Sequence, residues 1–337
     1  MTTIGRERDA ERAERPERAG PARHTATAVL GVDVGGTDIK WVRWANASVV
    51  NEGSLPTPRL GPDSVVTAIA HLVGTQPPVG ALGVAVPGHL GRDGRSTRLV
   101  PNVPGEWAGY PLADRLRDVT EVPTALLNDA RAFARAELAL GAARDRSEAV
   151  FVTMGTGIGG ALALGGAVLR GPGDRLGEIG HMPAVADGTP CGCGARGCLE
   201  TVAGGRALAR AWDREGGSAA PDTAVSGAAH LVAAARVGDP GALRILADAG
   251  DALGRVLGGA LALLGFRTVV IGGGVAPAFE FMRAETARAL TGRGPLVGWV
   301  DLRLAALGTR AGAVGAALEA ASLACSASPY STGAADG

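Results

Sequence analysis

No net charge remains when the 33 Lys+Arg and 33 Asp+Glu of this 337-residue chain are summed. That balance argues against a nucleic-acid binder driven by bulk charge and against a polybasic membrane binder. No apolar stretch near the C-terminus reaches the roughly 20 residues that span a bilayer; the longest, Val256 to Gly265, falls short. Residues 1–24 interleave Arg6, Arg8, Arg12, Arg15, Arg18 and Arg23 with Glu7, Asp9, Glu11, Glu14 and Glu17. They hold no apolar core of a secretory signal, so a cytoplasmic protein is expected. Cysteines number four, too few for a disulfide framework in so long a chain. Lysine occurs once, and Lys40 has no glycine before it and Trp41 after it, which excludes a Walker A loop. Aromatics are sparse at 4%, whereas glycines number 53. Glycine in a folded chain marks tight turns and backbone held close to a ligand. With 46% hydrophobic and 20% charged residues most of the chain should fold, and a prior of ~150 residues per domain suggests two domains.

The apolar pattern supports two halves. Ala28–Val34 reads as a strand, Gly35-Gly36-Thr37-Asp38 as a turn, and Ile39–Trp44 as a second strand. Ser64–Val73 and Leu112–Val119 have helical spacing, and Ala81–Val86 and Thr124–Leu127 read as strands. A helix is expected from Asp129 to about Leu140. The scheme then restarts, with strand Ala149–Met154, turn Gly155–Gly160 and strand Ala161–Leu164. Residues 165–204 read as an ordered loop and 205–265 as helices, followed by strand Thr268–Ile271, a last strand and a helix from Ala311 to Ala324. Strand, glycine turn and strand thus recur about 122 residues apart, from Asp33 to Gly155. The fold class this predicts is α/β, with two similar halves facing each other across a cleft.

Four constellations carry chemistry. In Asp33-Val-Gly-Gly-Thr37 the backbone N–H groups of Gly35 and Gly36 and the Thr37 hydroxyl can meet phosphate oxygens, and Asp33 can orient Mg²⁺ or its waters. An ordinary hairpin turn is the plain alternative. Gly155-Thr156-Gly157 opens a stretch that formally matches G-x-G-x-x-G, but no helix follows it, so a phosphate-binding hairpin is favoured over a dinucleotide fold. Asn128-Asp129 stands where a strand gives way to a helix, which suits Asp129 as a general base; on this feature alone an N-cap leads. His181, Cys191, Cys193 and Cys198, spaced by 10, 2 and 5, can close a tetrahedral Zn²⁺ site with no open position, hence a structural metal. That loop would bring Glu178 and Glu200 together to bind sugar hydroxyls, with the second ring nitrogen of His181 beside them.

These motifs, with Pro101-Asn102 and Ile271-Gly-Gly-Gly274, resemble the ROK sugar kinases of the actin/hexokinase-like superfamily over about residues 28–320. The resemblance implies two ribonuclease-H-like domains flanking a catalytic cleft. Residues 1–26 would be a disordered charged extension and 27–127 a small α/β domain, joined by a returning helix at about 309–325. Residues 128–308 would form the large domain with the zinc loop, and 326–337 a disordered tail. It further implies Asp129 as catalytic base, and Asn102, Asn128, Asp129, Glu178, His181 and Glu200 as sugar contacts. ATP would lie on Asp33, Gly35, Gly36, Thr37, Gly155, Thr156, Gly157, Gly273 and Gly274. His181, Cys191, Cys193 and Cys198 would be the zinc ligands, with Mg-ATP as donor and a homodimer or homotetramer as assembly. The family's repressors carry a winged helix before the first strand; the residues there lack a core, so no nucleic-acid partner is expected. A further glycine common in the family after Gly160 is Ala161 here.

The expected activity is ATP-dependent phosphorylation of a hexose, glucose by default. An amino sugar of the kanosamine type, N-acetylmannosamine, fructose or a C7-cyclitol remains open as substrate, and polyphosphate as donor. A non-catalytic sugar sensor is the alternative of another class, but it needs neither Asp129 nor two glycine turns. A redox or metal-handling protein leaves those turns unexplained.

Overall fold

The computed structural model describes residues 28–171, 175–217 and 224–326. The extension expected at 1–26 lies outside them, as does the expected tail from 327 onward.

The first half runs β1 (Val29–Val34), β2 (Asp38–Ala45), β3 (Ser48–Pro56), α1 (Pro62–Thr75), β4 (Ala81–Val86), β5 (His89–Leu90), β6 (Thr97–Leu99), α2 (Leu112–Thr120), β7 (Thr124–Asn128) and α3 (Asp129–Ala139). The second runs β8 (Ala149–Met154), β9 (Ile158–Leu164), β10 (Ala167–Val168), α4 (Glu200–Ala203), α5 (Gly205–Arg214), α6 (Ala224–Arg236), α7 (Pro240–Leu264), β11 (Thr268–Gly272), α8 (Phe279–Thr291), β12 (Asp301–Leu304) and α9 (Ala311–Ser326).

The two five-stranded sheets have the same plan. The first is ordered β3-β2-β1-β4-β7 and the second β10-β9-β8-β11-β12. In each, three antiparallel strands are followed by two parallel ones. The internal repeat read from the glycine turns is therefore a repeat of whole sheets. The central strands β1, β4 and β8 are nearly continuous apolar runs buried on both faces, as parallel strands under helices must be.

Helix α9 is held by glycine. Gly31 and Gly83 are register partners on β1 and β4. A Cβ at Gly31 would stand 2.1 Å from the Ala313 carbonyl oxygen, and one at Gly83 1.9 Å from that of Ala316. On the other side, a Cβ at Gly315 would stand 1.8 Å from the Ala132 oxygen. Only bare backbone lets the helix settle between the first sheet and α3.

Two expectations need correction. The second glycine turn is only Gly155–Gly157, because β9 begins at Ile158 and Gly159 pairs with Thr153. Gly160 belongs to the strand, where a Cβ would meet the Gly177 oxygen at 2.4 Å, so its missing side chain serves close packing rather than a turn. The stretch 165–204, expected as loop, also contains β10, a helical turn at Ile179–His181 and α4.

Candidate active site

Asn128 closes β7 and caps α3, its Oδ1 accepting the Arg131 N–H at 3.1 Å. Its Nδ2 donates to the Gly88 oxygen at 2.7 Å and to Asp129 Oδ1 at 3.0 Å. Asp129 Oδ1 also accepts the Ala130 N–H at 2.8 Å. The N-cap alternative thus applies to Asn128, while Asp129 is oriented through one oxygen and keeps the other, Oδ2, without a hydrogen bond among the described residues.

Burial lifts the Asp129 pKa from 3.8 to about 7; the nearby charge of Asp33 adds to the rise, and the Ala130 N–H and Arg131 oppose it. Burial also lifts Asp33 to about 6, against the pull of Lys40, its register partner on β2. Two carboxylates that resist ionisation therefore share the cleft.

The first glycine turn is closed by Gly35 N–H on the Asp38 oxygen at 3.0 Å. Thr57, just past β3, braces it: its hydroxyl donates to the Gly35 oxygen at 2.7 Å and its N–H to the Thr37 oxygen at 2.8 Å. Gly36 and Thr37 remain exposed. Asn102, held at φ 65°, lies against this turn: a Cβ on Gly36 would stand 2.8 Å from its carbonyl oxygen.

The second turn, Gly155–Gly157, is tied to the start of α5, where the Gly205 and Arg206 N–H groups donate to the Gly155 and Thr156 oxygens at 2.9 and 3.0 Å. Glu200 Oε2 accepts the Ile158 N–H at 2.9 Å and fills the place a Gly157 Cβ would take, 2.0 Å away. Gly273, at φ 94°, packs on the Met154 backbone at the same end of the second sheet, and Gly273 and Gly274 are exposed there.

His181, Cys191, Cys193 and Cys198 converge, with one donor atom from each lying within 4.8 Å of the others. His181 Nδ1 is 3.5 Å from Cys191 Sγ, and Cys193 Sγ is 3.6 Å from Cys198 Sγ. Zn–S bonds of about 2.3 Å in a tetrahedron place sulfurs slightly under 4 Å apart, so three thiols and an imidazole fit zinc. The other ring nitrogen, His181 Nε2, faces Glu178 Oε2 at 3.9 Å.

Two residues of this neighbourhood escaped the sequence reading. His89, on β5, points Nδ1 at Glu178 Oε1, 3.8 Å away. Arg206 reaches Asn102 Oδ1 with Nη2 at 2.8 Å. Their only sequence signals are a place just after Pro87-Gly88 and just after Gly204-Gly205. With them, two chains of contact join the expected site residues. One runs Asn128, Gly88, His89, Glu178, His181; the other runs Glu200, Gly157, Thr156, Arg206, Asn102, Gly36.

The model of the ROK family matches residues 29–322. The chain belongs to the ROK family. It is 34% identical over 295 residues to an N-acetylmannosamine kinase of Escherichia fergusonii, covering 86% of this chain and 97% of that one. It is 33% identical over 276 residues to a glucokinase of Thermotoga maritima, covering 75% and 84%. The solved ROK family glucokinase of Streptomyces griseus, in complex with glucose and AMPPNP, superposes with a TM-score of 0.76 at 30% identity, over 87% of this chain and 99% of that one. The fold is that of the two-domain actin/hexokinase-like kinases. Among the described residues no helix is long and apolar enough to cross a membrane.

Proposed function

We propose that this ROK family member, a sugar kinase, transfers the terminal phosphoryl group of Mg-ATP to a hydroxyl of a hexose, glucose by default, with Asp129 as general base. The observation that carries the reading is Asp129 itself. It opens α3, its Oδ1 is fixed by Asn128 and the Ala130 N–H, and its pKa is lifted to about 7. A base with a pKa near working pH is both ionised and basic enough to take a hydroxyl proton.

The remaining roles follow from position. A sugar hydroxyl donates to Asp129 Oδ2, and its oxygen attacks the terminal phosphorus as the proton passes to the carboxylate and the phosphorus–bridging-oxygen bond breaks, leaving ADP. The Gly35 and Gly155 N–H groups close their own turns, on the Asp38 and Gly157 oxygens, so phosphate oxygens are received from either side of the cleft by the amides of Gly36 and Thr37 and of Thr156 and Gly157, and Gly273 and Gly274 border the adenosine. Asn102, Asn128, Glu178, His181 and Glu200 hold the sugar. Asp33, a half-buried carboxylate whose charge Lys40 relieves, fits a cation, and it would hold Mg²⁺ directly or through water. When bound, Mg²⁺ neutralises charge on the transferring phosphates. Zinc at His181, Cys191, Cys193 and Cys198 is structural and fixes the loop carrying Glu178. On this reading residues 27–127 and the helix at about 309–325 are the small domain, and 128–308 the large one.

The test is a coupled ADP-release assay with Mg-ATP. Its acceptors are glucose, mannose, N-acetylmannosamine, fructose, 3-amino-3-deoxyglucose and a valiolone-type cyclitol. Turnover led by glucose is expected. Turnover confined to another acceptor corrects the substrate, and silence on all of them with sugar binding by calorimetry replaces the kinase with a sensor.

A further inference from the structure

Glu178 has an imidazole on each side. His89 Nδ1 stands 3.8 Å from Oε1 and His181 Nε2 stands 3.9 Å from Oε2. The two rings come from different places. His181 is carried by the cysteine loop of the second half, whereas His89 is carried by β5 of the first, paired antiparallel with β6. His89 Nδ1 is buried and makes no hydrogen bond, although Glu178 is the acceptor it is aimed at. A buried ring nitrogen without a partner is costly unless a group arrives to pair with it.

The backbone explains how the ring is aimed. Gly88, at φ 82°, turns the chain sharply after β4, and its oxygen receives Asn128 Nδ2 at 2.7 Å. A Cβ there would stand 2.2 Å from the Leu99 oxygen, so only glycine makes this turn. The residue that locks Asp129 therefore also locks the peptide preceding His89.

We infer that His89 is a positioning residue of the sugar pocket: when the sugar binds, the 3.8 Å gap closes and its Nδ1–H is donated to Glu178 Oε1, which holds that carboxylate in the orientation that receives the sugar. This rests on the sugar-kinase reading and on Glu178 as a sugar contact. His181 Nε2 stands 3.9 Å from the second oxygen, so the carboxylate is flanked from both halves and its orientation depends on how they approach. The flanking imidazoles leave the carboxylate fewer orientations to lose when the sugar arrives, which lowers the ordering cost of binding.

The side-chain geometry gives a direct test. An asparagine amide nitrogen occupies the place of a histidine Nδ1, and a glutamine amide nitrogen that of Nε2. His89→Asn should keep much of the effect, whereas His89→Gln and His89→Leu should lose it. The expected loss is a roughly ten- to hundred-fold rise in sugar KM, as for a lost hydrogen bond to a charged group, with ATP KM unchanged. Calorimetric sugar affinity should fall in parallel, and thermal midpoint and zinc content report folding. In a double-mutant cycle, His89→Leu should add little to Glu178→Ala, which removes the acceptor. Additive losses, an unchanged sugar KM in His89→Leu, or His89→Gln matching His89→Asn would each overturn the inference while leaving the kinase intact. A wild-type protein that turns over no acceptor overturns the kinase reading and this inference with it.

Discussion

Asp33, near the end of β1, lies close enough to Asp129, at the start of α3, for its charge to raise the Asp129 pKa. The proposed base is thus tuned by a neighbour from the opposite end of the first half, and the coupling has a measurable sign. Asp129 must be ionised to accept a proton. With a pKa of about 7, kcat/KM for the sugar should fall roughly tenfold per pH unit below that value. Asp33→Asn removes a negative neighbour, which makes ionisation easier, so the acidic limb should move to lower pH whatever happens to the plateau. A limb that stays in place would mean that Asp33 does not act on the base.

Asp129→Asn separates catalysis from stability. Loss of a general base should lower kcat by about 10²- to 10⁴-fold, and a mutant with near wild-type turnover would remove Asp129 from the mechanism. Stability should move the other way. The folded pKa, about 7, lies above the ordinary 3.8. The carboxylate's contribution is therefore complete below about 4 and is lost as pH rises through 7. Asparagine does not titrate, so the variant should melt a few degrees above wild type at pH 8 and show a smaller gain at pH 4. Equal differences at both pH values would deny that burial strains the charge.

How far the sequence reveals this site depends on how local each signal is. The two glycine turns, the Asn128-Asp129 junction and the spacing of His181 with three cysteines are contiguous or nearly so, and each is visible as a string. The exposed edge strand β3 is not: its residues Asn51, Glu52, Gly53 and Ser54 have poor strand propensity, and only pairing with β2 makes them extended. Gly31 and Gly83 look like ordinary strand residues until α9 is laid across them. His89 and Arg206 carry no motif at all. They matter through partners 89 residues (Glu178) and 104 residues (Asn102) away in the chain, a relation only the folded cleft creates.

The cysteine loop should behave as one unit with the sugar pocket. His181 turns Nδ1 toward the cysteines and Nε2 toward Glu178, so the proposed metal and sugar sites share one ring. Cys193→Ser should release zinc, lower the thermal midpoint and raise sugar KM roughly tenfold or more. Metal analysis beside a melt and a sugar titration checks this. Unchanged zinc content would dismiss the four-ligand set, and lost zinc with unchanged sugar KM would uncouple the loop from the pocket.

Two glycines of one turn should fail differently when given a methyl group. At Gly155 an added Cβ meets nothing within 4 Å, so Gly155→Ala should fold normally. If ATP phosphates approach this backbone, the methyl group intrudes only on them, and ATP KM should rise about tenfold with sugar KM unchanged. At Gly157 the added Cβ would lie 2.0 Å from Glu200 Oε2, the oxygen that accepts the Ile158 N–H. Gly157→Ala must displace Glu200 and break that bond, so sugar KM should rise roughly ten- to hundred-fold. Steady-state kinetics with each substrate varied in turn distinguishes the two. On the proposed reading the turn meets nucleotide at Gly155 and supports Glu200 at Gly157, so identical profiles for both variants would collapse that division.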